Sequence, residues 1–158
     1  MSPEIPDFYQ HRTRIRVCGL CWQNDRLLMV NHRGLTSGNF WAPPGGGVEF
    51  AEGVHDTLVR EFLEETNIQV SSGKLQFVCE FIHPPLHAVE LFFMVDYLGG
   101  EPDIGTDPES SADNQLITDV CFMNIGDILA VPEKERHGIF KMVQTLADLK
   151  NLSGFHRI

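Results

Sequence analysis

The chain has 158 residues, the size of one ordinary domain, and at 42% hydrophobic and 22% charged it is too apolar to be read as disordered. A net charge of −10, from 22 acidic against 12 basic side chains, argues against a general nucleic-acid binder. No apolar run approaches a membrane span, and the opening MSPEIPDFYQ has neither the basic nor the apolar region of a secretory signal, so a soluble cytoplasmic protein without membrane contact is expected.

In chain order, Arg14 to Trp22 reads as a strand, Asn24-Asp25 as a turn, and Arg26 to Asn31 as the antiparallel partner. Cys18 and Cys21 form a lone C-x-x-C inside the first strand. Residues three apart on a strand point to opposite faces, so buried thiols in a reducing compartment are expected rather than a zinc site. Arg12, Arg14, Arg16, His32 and Arg33 are the only basic concentration. Alternation puts Arg14 and Arg16 on one face. With Arg33 they are candidate contacts for substrate phosphates, and an exposed sheet face explains them equally well.

The stretch Phe40 to Phe50, FWAPPGGGVEF, excludes regular helix. Gly53 to Thr66 is the clearest helix, with Val54, Leu58 and Phe62 every four residues and Val59 and Leu63 beside them. Leu75 to Ile82 and Ala88 to Tyr97 read as strands around the loop His83 to His87. Gly99 to Asn114 reads as a long acidic loop, Gln115 to Asn124 as a short strand, and Gly138 to Lys150 as a final helix. Strands on both sides of one strong helix make the chain α+β, with a mixed sheet, and disfavour a doubly wound parallel fold. No linker divides it, so residues 1–158 are expected to form one domain.

The chemistry concentrates on the central helix. Glu61, Glu64 and Glu65 fall within about a 100° arc of its surface. Like charges at i,i+3 and i,i+4 destabilise a helix, and the C-terminal half of the macrodipole disfavours anions. A hard divalent cation would compensate, since Mg²⁺ takes carboxylate oxygens and keeps water and phosphate as its other ligands. Taken alone, E-x-x-E-E is more often a solvated acidic face.

The surroundings lift it above that. Gly46 is followed after five residues by Glu52, then after seven by Arg60-Glu61, Phe62, Glu64-Glu65, and Ile68. This spacing resembles the Nudix box, Gly-x5-Glu-x7-Arg-Glu-U-x-Glu-Glu-x-Gly-U, where U is a bulky apolar residue. Trp41 to Gly45 resembles the family's lead-in. The departure is Asn67 where the family usually has Gly; Asn is the next most tolerant of the left-handed conformation that ends the helix.

The resemblance implies an α/β/α sandwich with a mixed sheet. It also implies Mg²⁺-dependent hydrolysis, with Mn²⁺ as the alternative ion, of a phosphoanhydride in a nucleoside diphosphate linked to another moiety. Carried over by position, Gly45 (through its carbonyl), Glu61, Glu64 and Glu65 would face the metal. Glu61 would be a further ligand or the base, Arg60 would orient the glutamates, and Glu52 would stand behind them. In some members the base lies outside the box, and Glu109, Asp113 and Asp119 are the downstream candidates. Pro84 and Pro85 stand 16 and 17 residues after the box, near where ADP-ribose-cleaving members carry a proline, although a plain inter-strand loop accounts for them better. A nucleoside triphosphate sanitiser and a non-catalytic nucleotide-sugar sensor are the competing readings. Homodimers are common in the family, so a homodimer is a further expectation.

Overall fold

The structure is a computed structural model, and it describes residues 5, 7–33, 38–105 and 116–158. The strands are β1 (Arg12–Gln23), β2 (Arg26–Arg33), β3 (Phe40–Ala42), β4 (Gly45–Gly47), β5 (Gln69–His83), β6 (Leu86–Gly99), β7 (Leu116–Met123) and β8 (Gly154–Arg157). The helices are α1 (Val54–Thr66), α2 (Ile125–Ala130) and α3 (Leu146–Asn151), with short 3₁₀ turns at Asp7–Tyr9, Glu133–Glu135 and Gly138–Lys141.

The sheet runs β3-β2-β1-β6-β5-β8, with β4 added to β1 and β7 to β2. It is mixed, as expected: β1 is parallel to β6 and β5 to β8, while the other pairings are antiparallel. Asn24, at φ 54°, supplies the left-handed residue of the two-residue turn that sets Trp22 opposite Leu27. β1 pairs with β6 along most of its length, with β4 at Arg16 to Cys18 and with β2 only at its last two residues. It therefore runs through the middle of the sheet, between β6 and the glycine strand β4.

Both faces of the sheet are covered, which is why β1 and β2 read as apolar runs rather than alternating patterns. Val17, Cys21, Leu28, Val30, Phe93 and Val95 pack under α1 with Leu58 and Phe62. Cys18, Leu20, Leu27, Met29, Phe77 and Phe92 pack against Ile128, Ile139, Phe140, Val143 and Leu149 of the C-terminal layer. The two thiols of the C-x-x-C thus stand in opposite cores, and all four cysteines are unpaired. Gly19 leaves room for Phe62, since a Cβ there would overlap its ring. The fully buried Phe62 and Leu58 each contribute about 1.5–3 kcal/mol and fix α1 on the sheet.

One expected element is replaced. The stretch Gly138 to Lys150 is not one helix: a 3₁₀ turn ends at Lys141 and α3 begins at Leu146. Thr145 caps α3 in a capping box with Asp148, and its hydroxyl is better used capping a new helix than inside a continuous one. β5 and β6 run longer than expected, so the loop between them shrinks to Pro84-Pro85, joined by a cis peptide bond. Among the described residues no helix is long and apolar enough to cross a membrane.

Candidate active site

The three glycines form β4, antiparallel to β1, with Gly45 opposite Cys18, Gly46 opposite Val17 and Gly47 opposite Arg16. They are needed for close approach. A Cβ at Gly45 would overlap the Val17 carbonyl, and one at Gly46 would overlap the Glu61 carboxyl. The Gly45 N–H donates to Glu65 Oε2 at 3.1 Å, which ties the strand to the helix below it.

The face that α1 turns to the sheet holds Thr57, Leu58, Glu61, Phe62, Glu65 and Thr66. Val59 and Leu63, expected beside the apolar stripe, are instead 40% and 48% exposed, while Glu61 and Glu65 are only 9% and 5% exposed. The helix has rotated its carboxylates inward at the cost of two aliphatic side chains. Burying carboxylates is unfavourable unless they are paired or ligate a cation.

Arg60 is the hub of the site. Its Nε and Nη2 donate to Glu52 Oε1 (2.8 Å) and Oε2 (3.1 Å), a bidentate pair. Its Nη1 donates to Glu61 Oε1 (3.1 Å) and Glu64 Oε2 (3.0 Å). The hydrogen bond from Arg60 holds the Glu52 carboxyl at about 2, and the same bond, joined by the charges of Glu61, Glu52 and Glu64, raises the guanidinium pKa. Arg60 thus brings together Glu52, Glu61 and Glu64, while Glu65 is held separately by Gly45.

The C-terminal end of α1 is closed by backbone donors. Asn67 takes the left-handed conformation (φ 60°), and its N–H bonds the Leu63 carbonyl at 3.1 Å. The amides of Asp103 and Gly105 bond the carbonyls of Thr66 (3.0 Å) and Glu65 (3.1 Å), and Asn67 Nδ2 bonds the Glu101 carbonyl. A Cβ at Gly105 would overlap the Glu64 carbonyl. These contacts occupy carbonyls that would otherwise point negative charge at the glutamates.

The basic residues separate. Arg14 lies with its guanidinium 3.9 Å from the centre of the Tyr9 ring, close to Gly47. Arg16 stands between Gly47 on β4 and Glu90 on β6, with Nε 3.5 Å from Glu90 Oε2. Arg33 ends β2, where its Nε bonds Asn39. His32 leaves the basic group altogether: burial, and then the Arg16 charge, push its pKa down to about 4, so it is neutral. Trp22 and Trp41 pack against the C-terminal core.

Sequence reasoning missed Glu90 and His137. Glu90 is 7% exposed and His137 5%, and their Oε1 and Nε2 lie 2.8 Å apart. The available signal was Glu90 itself, a lone charge in the apolar run Ala88 to Val95. Of the downstream base candidates, Asp119 is exposed on β7 opposite Asn31, and Glu109 and Asp113 lie outside the described residues. The His87 nitrogens face Thr13 (3.1 Å) and Glu80 (2.9 Å). Arg12, Pro84, Pro85 and His87 line a hollow of about 360 Å³ at the start of β1.

Among the described residues no three His, Cys, Asp or Glu side chains form a ready cation cage. Mg²⁺ does not need one, because it binds through one or two carboxylates plus water and substrate phosphate. Glu61 and Glu65, one helical turn apart and buried beneath the glycine strand, fit that donor set.

Comparison with known proteins gives the family and the fold. The NUDIX domain model matches residues 11–146. The NAD-capped RNA hydrolase NudC of Pectobacterium atrosepticum is 34% identical over 91 residues, 58% of this chain and 33% of that protein. The ADP-ribose pyrophosphatase of Methanocaldococcus jannaschii is 28% identical over 99 residues, 61% of this chain and 59% of that one. The chain thus spans from about a fifth to three fifths of the length of the curated relatives it matches. A NUDIX hydrolase from Nitrosomonas europaea superposes with a TM-score of 0.72 at 18% identity, covering 88% of this chain and 89% of that one, which shows the shared fold.

Proposed function

The chain belongs to the Nudix family, and from that premise we propose that it is a Mg²⁺-dependent pyrophosphohydrolase of nucleoside diphosphates linked to another moiety, with ADP-sugars such as ADP-ribose as the substrate class. The observation that carries this reading is the inverted helix: Glu61 and Glu65 occupy the buried face of α1 while Val59 and Leu63 face solvent. Two relatives of different kinds support the substrate class, one named for ADP-ribose and the other for NAD-capped RNA, each of which contains an adenosine diphosphate joined to a ribose.

Glu61, Glu64, Glu65 and the Gly45 carbonyl would hold the cation. When bound, it neutralises charge developing on the phosphate oxygens and lowers the pKa of water. Arg60 keeps Glu61 and Glu64 in place while Glu52 takes the other edge of its guanidinium. Glu61, poised by Arg60 and cleared by Gly46, can accept the proton of the attacking water. Arg12, Arg14 and Arg16 share one face of β1 over about 13 Å, long enough to follow an extended diphosphate substrate.

The test is a panel of ADP-ribose, other nucleotide sugars, dinucleotides and dNTPs with Mg²⁺, scored for released nucleotides and phosphates. Cleavage of ADP-ribose into AMP and ribose phosphate is expected, and Glu64→Gln should abolish it while the fold persists. Pyrophosphate release from dNTPs alone would make the protein a triphosphate sanitiser. Tight binding with no turnover would make it a sensor.

A further inference from the structure

We propose that Glu90 and His137 are positioning residues that hold Arg16 beside the glycine strand, where its guanidinium meets the diphosphate of the substrate; this rests on the hydrolase reading above.

Three strands place the group. Arg16 of β1 is in register with Glu90 of β6 on one side and with Gly47 of β4 on the other. Glu90 Oε2 faces Arg16 Nε at 3.5 Å and accepts from the Cys18 thiol at 3.6 Å, while Oε1 faces His137 Nε2 at 2.8 Å. The Ile139 N–H donates to His137 Nδ1 (3.2 Å), which fixes the ring with Nε2 toward Glu90. The His137 N–H in turn bonds the Trp41 carbonyl at 2.8 Å, four residues before Gly45. One turn of the C-terminal layer therefore fixes both the Glu90 carboxylate and the lead-in to the glycine strand.

The charge of Arg16 is only partly used. Glu90 takes its Nε side, and among the described residues neither terminal amino group donates to a protein acceptor. The side chain remains 24% exposed. Burial works against its charge, and Glu90 first, then Cys18, Glu65 and Glu61, raise its pKa, which places the acidic helix within its electrostatic reach. Burial likewise opposes charge on Glu90, but His137 and Arg16 hold its carboxyl at about 2. A buried ion pair adds little net stability over apolar side chains of the same size, so the fold alone gives weak reason to keep this one. A planar fork with free donors beside a phosphate site is a reason.

The test is a double-mutant cycle of Arg16→Ala and Glu90→Gln. It is read as kcat/KM on the substrate the panel identifies and as the Kd for ADP with Mg²⁺ by calorimetry, with circular dichroism to check the fold. Each single variant should lose about 10–100-fold, the usual cost of removing a group that orients a ligand-binding side chain. The double variant should lose no more than Arg16→Ala alone, within about twofold, because Glu90 acts through Arg16. Added guanidinium should restore part of the activity of Arg16→Ala and none of the double variant's. If Glu90→Gln does not fold, Glu90→Asp and His137→Phe carry the same cycle.

Losses that multiply, or a folded Glu90 variant with wild-type behaviour, overturn the inference. Non-additive losses in ADP affinity without turnover on any substrate would uphold it and overturn the hydrolase reading. Turnover with multiplying losses would do the reverse, and a wild-type chain that neither cleaves nor binds ADP would overturn both.

Discussion

Two charged centres lie on either side of the glycine strand, and they are built in opposite ways. Around Arg60, one guanidinium serves Glu52, Glu61 and Glu64, with Glu65 held close by on Gly45. Around Glu90, one carboxylate is matched by Arg16, an imidazole and a thiol. The second centre balances its charge within the protein. The first gathers more acid than base: Arg60 alone holds three carboxylates, and Glu61 and Glu65 are buried. An imbalance of that kind is tolerable where a divalent ion joins it, so the acidic centre is where the proposed cation would bind and the Glu90 centre would be its fixed frame.

The largest expected effect breaks the first centre without touching a charge. Gly46→Ala sets a methyl group where the Glu61 carboxyl sits. It should lower kcat/KM by about 10²–10³-fold, comparable to loss of one group that stabilises transition-state charge. Steady-state kinetics beside a thermal melt would show it, and wild-type kinetics would mean that Glu61 has another place to go. Arg60→Ala comes next. It removes the partner of three carboxylates, so Mg²⁺ titrations of activity should become shallower and shifted, with a loss on the order of 10–100-fold.

Acid should strain both centres at once. Glu52 and Glu90 each titrate near 2 in the folded chain, below the ordinary 4.5. Their contribution is present above pH 4.5 and is lost as the pH falls toward 2. Chemical denaturation across that window should show stability falling with pH. Removing Arg60 should flatten the part due to Glu52, and a slope unchanged in Arg60→Ala would separate Glu52 from its assigned partner. The smallest effect sharpens the account of the helix. Leu63→Lys, on the exposed face, should change stability by less than about 0.5 kcal/mol in urea denaturation. A loss of 2 kcal/mol would put Leu63 back in the core.

Much of the first centre was legible in the sequence because it is local. Gly46, Glu52, Arg60, Glu61, Glu64 and Glu65 follow one another on a loop and a helix, so spacing alone carries their pattern, and Asn67 adopts the left-handed conformation expected of it. The second centre was not legible. Arg16, Glu90 and His137 are joined only by strand register and by a 3₁₀ turn far along the chain. Periodicity also misjudged the central helix, because it counts Val59 and Leu63 as core and the glutamates as surface. It failed in the same way near the C-terminus, where Thr145 and Asp148 start a new helix within an apolar spacing that reads as continuous.

The backbone donors that close α1 have a consequence for how the molecule opens. Asp103 and Gly105 give their amides to the last turn of α1, the turn that carries Glu64 and Glu65. Those two amides can exchange with solvent deuterium only when that turn lets go, so they and the helix end should behave as one opening unit. Their protection then reports the integrity of the acidic turn in the resting protein. A divalent ion that binds the glutamates should slow their exchange before any substrate is present.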